Sequence, residues 1–177
     1  MDPVLMYEHA ATNAVVMAQR VTSDQTKLAT PCSEWDVSAL LLHMSGGGAY
    51  LMDCMGLQPD SVRWPDPASV AECVDALRRP DRLGQRCMSP AGFEWSMAEA
   101  AAGTAMDQLI HTWDLAVAIG ADRHLDGDVV DAVVEMFLPL MPDMGRQAGL
   151  VGPAVTVPAG ASAQDRLLGA MGRNPEL

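Results

Sequence analysis

A long helical pattern runs from Ser96 to Gly120, and the other segments of the chain have to pack around it. At its start, Ser96 and Glu99 have the spacing of a capping box, in which two side chains satisfy free backbone N–H groups. At its end, Gly120 can adopt the left-handed conformation that stops a helix. Apolar residues leave little surface for water in the second half, so the pattern predicts a helix buried in a bundle.

Asp107 and His111 lie four residues apart in this pattern, and Asp114 follows three residues later. Residues at i and i+4 share one face of a helix, so the carboxylate and the imidazole point the same way. Together they can bind zinc, nickel, iron or manganese. The alternative is an exposed pair that stabilises the helix by about 0.2–0.5 kcal/mol. The apolar neighbours favour a buried face, where such groups are usually paired or metal-bound.

A further histidine, His43, lies in the apolar run of an earlier predicted helix, which Ser33 or Asp36 caps and which ends near Gly56. Three glycines, 46–48, follow it, although each glycine inside a helix costs about 1 kcal/mol relative to alanine. The middle one, Gly47, lies one turn from His43 and removes bulk above the imidazole. The sequence leaves open whether this gap holds a ligand, lets another helix approach, or marks a kink where the helix crosses another.

Near the N-terminus, His9 and Asn13 have the same four-residue spacing on a helix that Asp2 caps and that extends to about residue 22. Both lie close to the apolar stripe of that helix. His9 and Asn13, together with Gly47, are therefore candidates for lining an internal pocket. The alternative for His9 is a hydrogen-bonded structural histidine.

The segment between the second and the long helix is predicted to contain a proline-rich loop over residues 57–68 and a short helix from Val70 to Leu77. A small hairpin or an extended crossover follows between Leu83 and Trp95. These elements connect the predicted helices without adding a large sheet.

After the long helix, another helix is predicted from Asp126 or Gly127 to the residues before Pro139 and Pro142. The β-branched residues of 151–158 favour an extended clip, and a last short helix is expected over 161–171. Four sizeable helices and one short helix imply a bundle.

With 177 residues, of which 49% are hydrophobic and 19% charged, the chain has the size and composition of one globular domain. We expect the bundle to cover about residues 2–142 and the C-terminal clip about residues 143–177. The sequence does not fix the oligomeric state, and a homodimer is one alternative.

Acidic residues outnumber basic ones by 23 to 11, which gives a formal net charge of −12. This charge repels phosphate backbones and anionic membrane surfaces, so nucleic acid and membranes are not expected partners. The N-terminus has no signal-peptide pattern, and no segment has the ~18 consecutive apolar residues of a membrane span. We therefore expect a cytoplasmic protein that acts on a small molecule.

The four cysteines are scattered along the first half of the chain: Cys32, Cys54, Cys73 and Cys87. They form no C-x-x-C pair, so neither a zinc knuckle nor a disulfide framework is predicted. In the cytosol they would be reduced, and each is expected to act as a small buried hydrophobe rather than as a nucleophile.

Three groups of residues, in this order, resemble a known protein family. They are Thr30-Pro31-Cys32-Ser33-Glu34-Trp35 leading to His43, then His111-Thr112-Trp113-Asp114-Leu115-Ala116, and finally Pro158-Ala159-Gly160-Ala161 with Gln164-Asp165-Arg166-Leu167-Leu168 and Gly172-Arg173-Asn174-Pro175. Together they resemble the actinobacterial DinB-like metal-binding family that is related to the N-terminal domain of mycothiol-dependent maleylpyruvate isomerase. The resemblance covers nearly the whole chain.

The resemblance implies an all-α fold, a DinB-type four-helix bundle with an additional short helix, a short extended C-terminal tail and a terminal helix. It also implies that His43, Asp107 and His111 bind one divalent metal, with zinc favoured over nickel, iron and manganese, and that mycothiol is a co-substrate. Three ligands leave one coordination position for a substrate, as a catalytic site requires. Asp114 is expected to support these ligands rather than to bind the metal.

The function expected from the sequence is a metal-dependent, thiol-using transferase or isomerase that acts on a small electrophilic metabolite. One alternative is a metal-dependent hydrolase or cyclase that needs no thiol. Another is a catalytically inactive protein that binds a small molecule. The metal content of the purified protein separates the last alternative from the two enzymes, and thiol dependence of turnover separates the enzymes from each other.

Overall fold

A computed structural model describes residues 1–58 and 64–177 of the chain. Within these residues the protein is mostly helical, with one two-stranded sheet, which agrees with the all-α class expected from the sequence. The elements in chain order are α1 (Pro3–Ala18), α2 (Val37–Cys54), α3 (Pro67–Leu77), β1 (Arg86–Met88), β2 (Glu94–Ser96), α4 (Met97–Ile119), α5 (Gly127–Phe137), α6 (Met141–Gln147) and α7 (Ala163–Ala170).

Helix α4 is the longest element and lies at the centre of the fold, with α1 and α2 packed along it. Its ends are those that the sequence predicted. The Ser96 hydroxyl accepts a hydrogen bond from Glu99 N–H, the Glu99 carboxylate accepts one from Ser96 N–H, and Gly120 ends the helix with a φ of 69°. Between Ala100 and Ala116, Asp107 is the one residue that is not buried. Within this stretch, α4 is therefore open to solvent at Asp107 alone.

The first two helices begin at aspartate caps. Asp2 accepts hydrogen bonds from two backbone N–H groups of α1, and Asp36, rather than Ser33, accepts one from Ala39 N–H at the start of α2. Helix α1 ends at Ala18, before the predicted position near residue 22. The apolar Val21 still packs against the core, but it does so from a turn rather than from a further helical turn.

The chain between α2 and α4 contains α3 and a hairpin. The segment between Leu83 and Trp95 is the antiparallel hairpin β1–β2 and not a crossover, with Cys87 opposite Trp95. Helix α3 packs against α1 and α2, as the apolar spacing from Val70 predicted. Pro59, part of the predicted proline-rich loop, lies outside the described residues.

The C-terminal part differs from the prediction in two elements. The sequence does not predict helix α6, because Pro142 favours the end of a helix. In the structure Pro142 instead occupies the first turn of α6, where proline needs no N–H group. The segment 151–158 forms no regular strand, but Val155 N–H donates to the Gly169 carbonyl of α7 at 2.8 Å. A Cβ at Gly169 would lie 2.7 Å from the Val155 oxygen, so glycine allows this close contact.

Two groups of buried residues form the core. The larger one joins α1, the end of α2, α3, α4 and α5, and it includes Trp95 of β2 and Leu167 of α7. The smaller one joins the end of α1, the start of α2 and the end of α4, and consists of Ala14, Met17, Ala18, Val37, Leu40, Met44, Leu115 and Ala116. Because the smaller group fixes α2 against α4, it determines where His43 and His111 lie. Among the described helices, none has both the length and the apolar character needed to cross a membrane.

Candidate metal centre

His43 on α2 meets Asp107 and His111 on α4. His43 Nε2 lies 3.2 Å from Asp107 Oδ1, and His111 Nε2 lies 3.4 Å from the same oxygen. The two rings are in edge-to-face contact with centroids 4.8 Å apart. Ligand atoms that share a tetrahedral ion at about 2 Å are themselves separated by roughly these distances. The three residues that the sequence analysis selected are therefore arranged so that one ion can reach all of them.

Gly47 allows the close approach of α2 to α4 that this arrangement needs. A Cβ at Gly47 would lie 2.7 Å from Gln108 Nε2 and 3.0 Å from Thr104 Cγ2. Gln108 Nε2 donates to the Met44 carbonyl of α2 at 2.8 Å and so joins the two helices. Of the explanations that the sequence left open, these distances support the approach of another helix rather than space for a ligand.

The three residues differ in their exposure to solvent. The His111 side chain is 9% exposed, whereas those of His43 and Asp107 are 39% and 37% exposed. Trp35, from the loop before α2, lies against both imidazoles, with centroid distances of 4.6 Å to His43 and 5.6 Å to His111. The cluster is therefore closed on the His111 side and open to solvent on the side of His43 and Asp107.

Asp107 and His111 each stabilise the charged form of the other. Burial by itself would raise the pKa of Asp107, but the His111 charge and the hydrogen bonds with both histidines hold it well below its usual range. Burial by itself would lower the pKa of His111, but Asp107 and Asp114 raise it well above its usual value. The Asp107 carboxylate therefore favours the protonated form of His111, and an incoming cation would compete with a proton for the His111 ring.

Asp114 supports His111 from the side away from the cluster. Its side chain is fully buried, and Oδ2 lies 2.9 Å from His111 Nδ1. A proton on Nδ1 is donated to this carboxylate, which leaves Nε2 with a lone pair for a metal. Burial would raise the pKa of Asp114, but hydrogen bonds from His111 and Arg173 lower it. Asp114 therefore remains a charged acceptor behind His111.

A second group of metal-ligand types, Cys32, His111 and Asp114, also lies within reach of one ion. Here, however, the guanidinium group of Arg173 is already in contact with two of the three. Its Nη2 donates to Asp114 Oδ2 at 2.8 Å and to Cys32 Sγ at 2.9 Å. A cation therefore already pairs with this group, and the metal candidate is the cluster of His43, Asp107 and His111.

The sequence analysis missed the roles of Trp35, Cys32 and Arg173. All three belong to the stretches that carry the family resemblance, which was the one signal that could have found them. The expectation that each cysteine is a buried hydrophobe fits Cys73, which is 1% exposed. It does not fit Cys32, which is half-buried and contacts a carboxylate and a guanidinium group.

The other residues proposed from the sequence lie elsewhere. His9 Nδ1 is 3.4 Å from Asp126 Oδ2 at the start of α5, which is the hydrogen-bonded arrangement considered as the alternative for His9. Asn13 is exposed on α1. Their role in lining a pocket stays a prediction.

Comparison with known proteins gives relatives without a stated activity. No protein-family model and no solved structure matches the chain. The chain is similar to two uncharacterized proteins of Mycobacterium tuberculosis, Rv0738 of strain H37Rv and MT0763 of strain CDC 1551 / Oshkosh. Each is 27% identical over 135 residues, which cover 73% of this chain and 74% of the relative.

Proposed function

We propose that this protein is a divalent-metal-dependent enzyme of the DinB-like type, and that it uses a low-mass thiol such as mycothiol in a transferase or isomerase reaction. The proposal includes a DinB-type bundle, in which α1, α2 and α4 are three of the four helices. The observation that carries it is the convergence of His43, Asp107 and His111, together with the contact between His111 Nδ1 and Asp114.

The residues present fit a zinc-type metal. Two imidazole nitrogens and one carboxylate oxygen are ligands that zinc accepts, and nickel, iron and manganese accept the same set. The hydrogen bond between Asp114 and His111 Nδ1 is the kind of contact that orients metal-binding histidines in other proteins. When bound, the metal would lower the pKa of a coordinated thiol, so that thiolate is present at neutral pH.

The surrounding side chains then determine how a substrate enters. The exposed edges of His43 and Asp107 leave one approach open, and Trp35 covers the neighbouring side of the two rings. In the proposed reaction, the sulfur of the thiol forms a bond to an electrophilic carbon of the substrate. This carbon belongs to a double bond conjugated with a carbonyl group, and the C=C π electrons move to the carbonyl oxygen as the C–S bond forms. If the resulting enolate takes up the proton that the thiol released, the product is a conjugate. If the enolate instead rotates about the new C–C single bond and expels the thiolate, the double bond re-forms and the product is the geometric isomer.

The metal part of the proposal is tested by titrating metal-free protein with Zn²⁺ or Co²⁺ in a calorimeter. We expect one ion per chain, and we expect His111→Ala to abolish binding because it removes the most buried ligand. His124→Ala is the matched control, since His124 is 92% exposed and contacts only the exposed Asp122 among the contacts described. Equal binding by the His111→Ala and His124→Ala proteins would rule out this site.

The thiol part is tested by turnover of small electrophiles with metal-loaded protein, with and without mycothiol or a surrogate thiol. We expect turnover only when both the metal and the thiol are present. Full activity without thiol would instead support the hydrolase or cyclase alternative. Full activity of metal-free protein would exclude both metal mechanisms.

A further inference from the structure

The segment after α7 returns to α4 and places one arginine in the support of the candidate metal centre. Gly172 has a φ of 80°, its N–H donates to the Gly169 carbonyl, and Arg173 N–H donates to the Leu168 carbonyl. This pair of hydrogen bonds is a Schellman motif, which ends a helix and fixes the direction of the chain that follows. The backbone of Arg173 is therefore held in place by α7.

The Arg173 side chain is mostly buried and makes several hydrogen bonds. Nε donates to Asp114 Oδ1 at 3.2 Å and Nη2 donates to Asp114 Oδ2 at 2.8 Å. Nη2 also contacts Cys32 Sγ at 2.9 Å, and Nη1 donates to the Met171 carbonyl at 2.8 Å. Two parallel N–H···O bonds are the strongest geometry for an arginine and a carboxylate. Both oxygens of Asp114 are thus fixed.

We propose that Arg173 is a positioning residue of the metal centre: it fixes Asp114, and Asp114 in turn holds the His111 ring with Nδ1 as donor and Nε2 directed at the metal. Cys32 completes this support, since its thiol donates to Asp114 Oδ2 at 3.3 Å. Arg173 would not itself bind the metal, because its donors are directed at Asp114, Cys32 and the Met171 carbonyl. This inference rests on the proposed metal binding at His43, Asp107 and His111.

Without Arg173, the buried carboxylate of Asp114 would lose both hydrogen bonds from the guanidinium group. The Asp114 side chain would then rotate or take up a proton, and its hydrogen bond with His111 Nδ1 would weaken. The His111 ring would no longer be confined to one orientation. Loss of such a supporting contact typically weakens metal binding about 10- to 100-fold.

The first test is a double-mutant cycle with Zn²⁺ affinity as its readout. We expect Arg173→Met and Asp114→Asn each to weaken binding about 10- to 100-fold. We expect the double variant to bind about as weakly as Asp114→Asn alone, because Arg173 acts through Asp114. Arg166→Met is the matched control, since exposed Arg166 on α7 donates to the Ala161 carbonyl and should leave the affinity unchanged.

The second test needs no metal. In protein labelled with ¹⁵N-histidine, we expect the His111 Nδ1–H proton to exchange slowly with water in the wild type and quickly in Arg173→Met. If Arg173→Met does not fold because the buried Asp114 carboxylate has lost its ion pair with arginine, the double variant with Asp114→Asn removes that charge and supplies the comparison with Asp114→Asn.

Three results would overturn the inference: wild-type Zn²⁺ affinity in Arg173→Met, losses that multiply in the double variant, or unchanged exchange of the His111 Nδ1–H proton. Failure of the wild type to bind any metal would instead contradict the proposed function. In that case the exchange measurement still decides whether Arg173 positions His111.

Discussion

His111 connects two different environments through its two ring nitrogens. Nε2 faces Asp107 on the open side, and Nδ1 faces the buried Asp114. A histidine can offer a lone pair at one nitrogen only when the proton is on the other. The buried carboxylate therefore decides which nitrogen is available, and the open side determines what that nitrogen can bind.

Cys32 is expected to support Asp114 and not to act as the nucleophile. Cys32→Ser keeps a group that can donate to Asp114 and accept from Arg173, so Zn²⁺ affinity and turnover should stay within about threefold of the wild type. Cys32→Val has nearly the same shape but removes the hydrogen bonds, and should weaken Zn²⁺ binding about tenfold. Turnover that is lost in Cys32→Ser, while Zn²⁺ still binds, would make Cys32 a reacting group.

At the scale of secondary-structure elements, the crossing of α2 and α4 depends on Gly47. In Gly47→Ala the new Cβ would displace Gln108, which holds the Met44 carbonyl, so we expect a loss of about 1–3 kcal/mol in the free energy of unfolding. Gly46→Ala is the matched control: a Cβ at Gly46 meets no described atom within 4 Å, and alanine should stabilise the helix by up to about 1 kcal/mol.

Urea unfolding of both glycine variants, with Co²⁺ titration of the folded proteins, checks this prediction. Gly47→Ala should also weaken Co²⁺ binding, because separation of the helices moves His43 away from Asp107. Equal stabilisation by the two substitutions would mean that α2 can shift without cost.

The contact between α1 and α3 makes the stability of the fold depend on pH. Burial raises the pKa of the Cys73 thiol to about 11, and its hydrogen bond with Tyr7 only partly opposes this. The folded chain thus binds this proton more tightly than the unfolded chain, in which a thiol titrates near its ordinary value of about 9. The contribution of this protonated thiol to the free energy of unfolding is complete below about pH 9. It is lost as the pH rises through about 11, which lowers the free energy of unfolding by roughly 2–3 kcal/mol.

Urea unfolding of the wild type and of Cys73→Ala between neutral and alkaline pH measures this effect. The alanine variant should be less stable at neutral pH, because it leaves a small cavity, but it should lose less stability as the pH rises. The same alkaline loss in both proteins would show that Cys73 does not contribute to it.

For the molecule as a whole, the sequence predicted those features that depend on neighbouring residues. The Ser96 capping box, the stop at Gly120 and the four-residue spacing of Asp107 and His111 are all local, and the structure has each of them. The glycines beside His43 drew attention to it, but its grouping with Asp107 and His111 came from a family resemblance, since nothing in its own helix indicates which helix it faces. Periodicity determines the faces of a helix but not its partners.

The contacts around Asp114 could not be predicted in this way. Arg173 reaches Asp114 because the chain leaves α7 in one direction, and that direction depends on the packing of Gly172 against Pro153 and Gly152. Helix α6 was missed for a related reason: a proline can end one helix or begin the next, and only the surrounding chain decides between the two.

The hydrogen bond between Arg173 and Cys32 joins residues that are 141 positions apart, and the pair His43–Asp107 spans 64 positions. Contacts of such long range form late, because closing a long loop costs entropy before any contact repays it. An intermediate with all its helices formed but without these contacts would still have His43 apart from Asp107 and His111, and Asp114 without Arg173. If the cluster binds metal as proposed, uptake of the ion would have to wait for these long-range contacts, and the rate of metal uptake would report on fully folded chains.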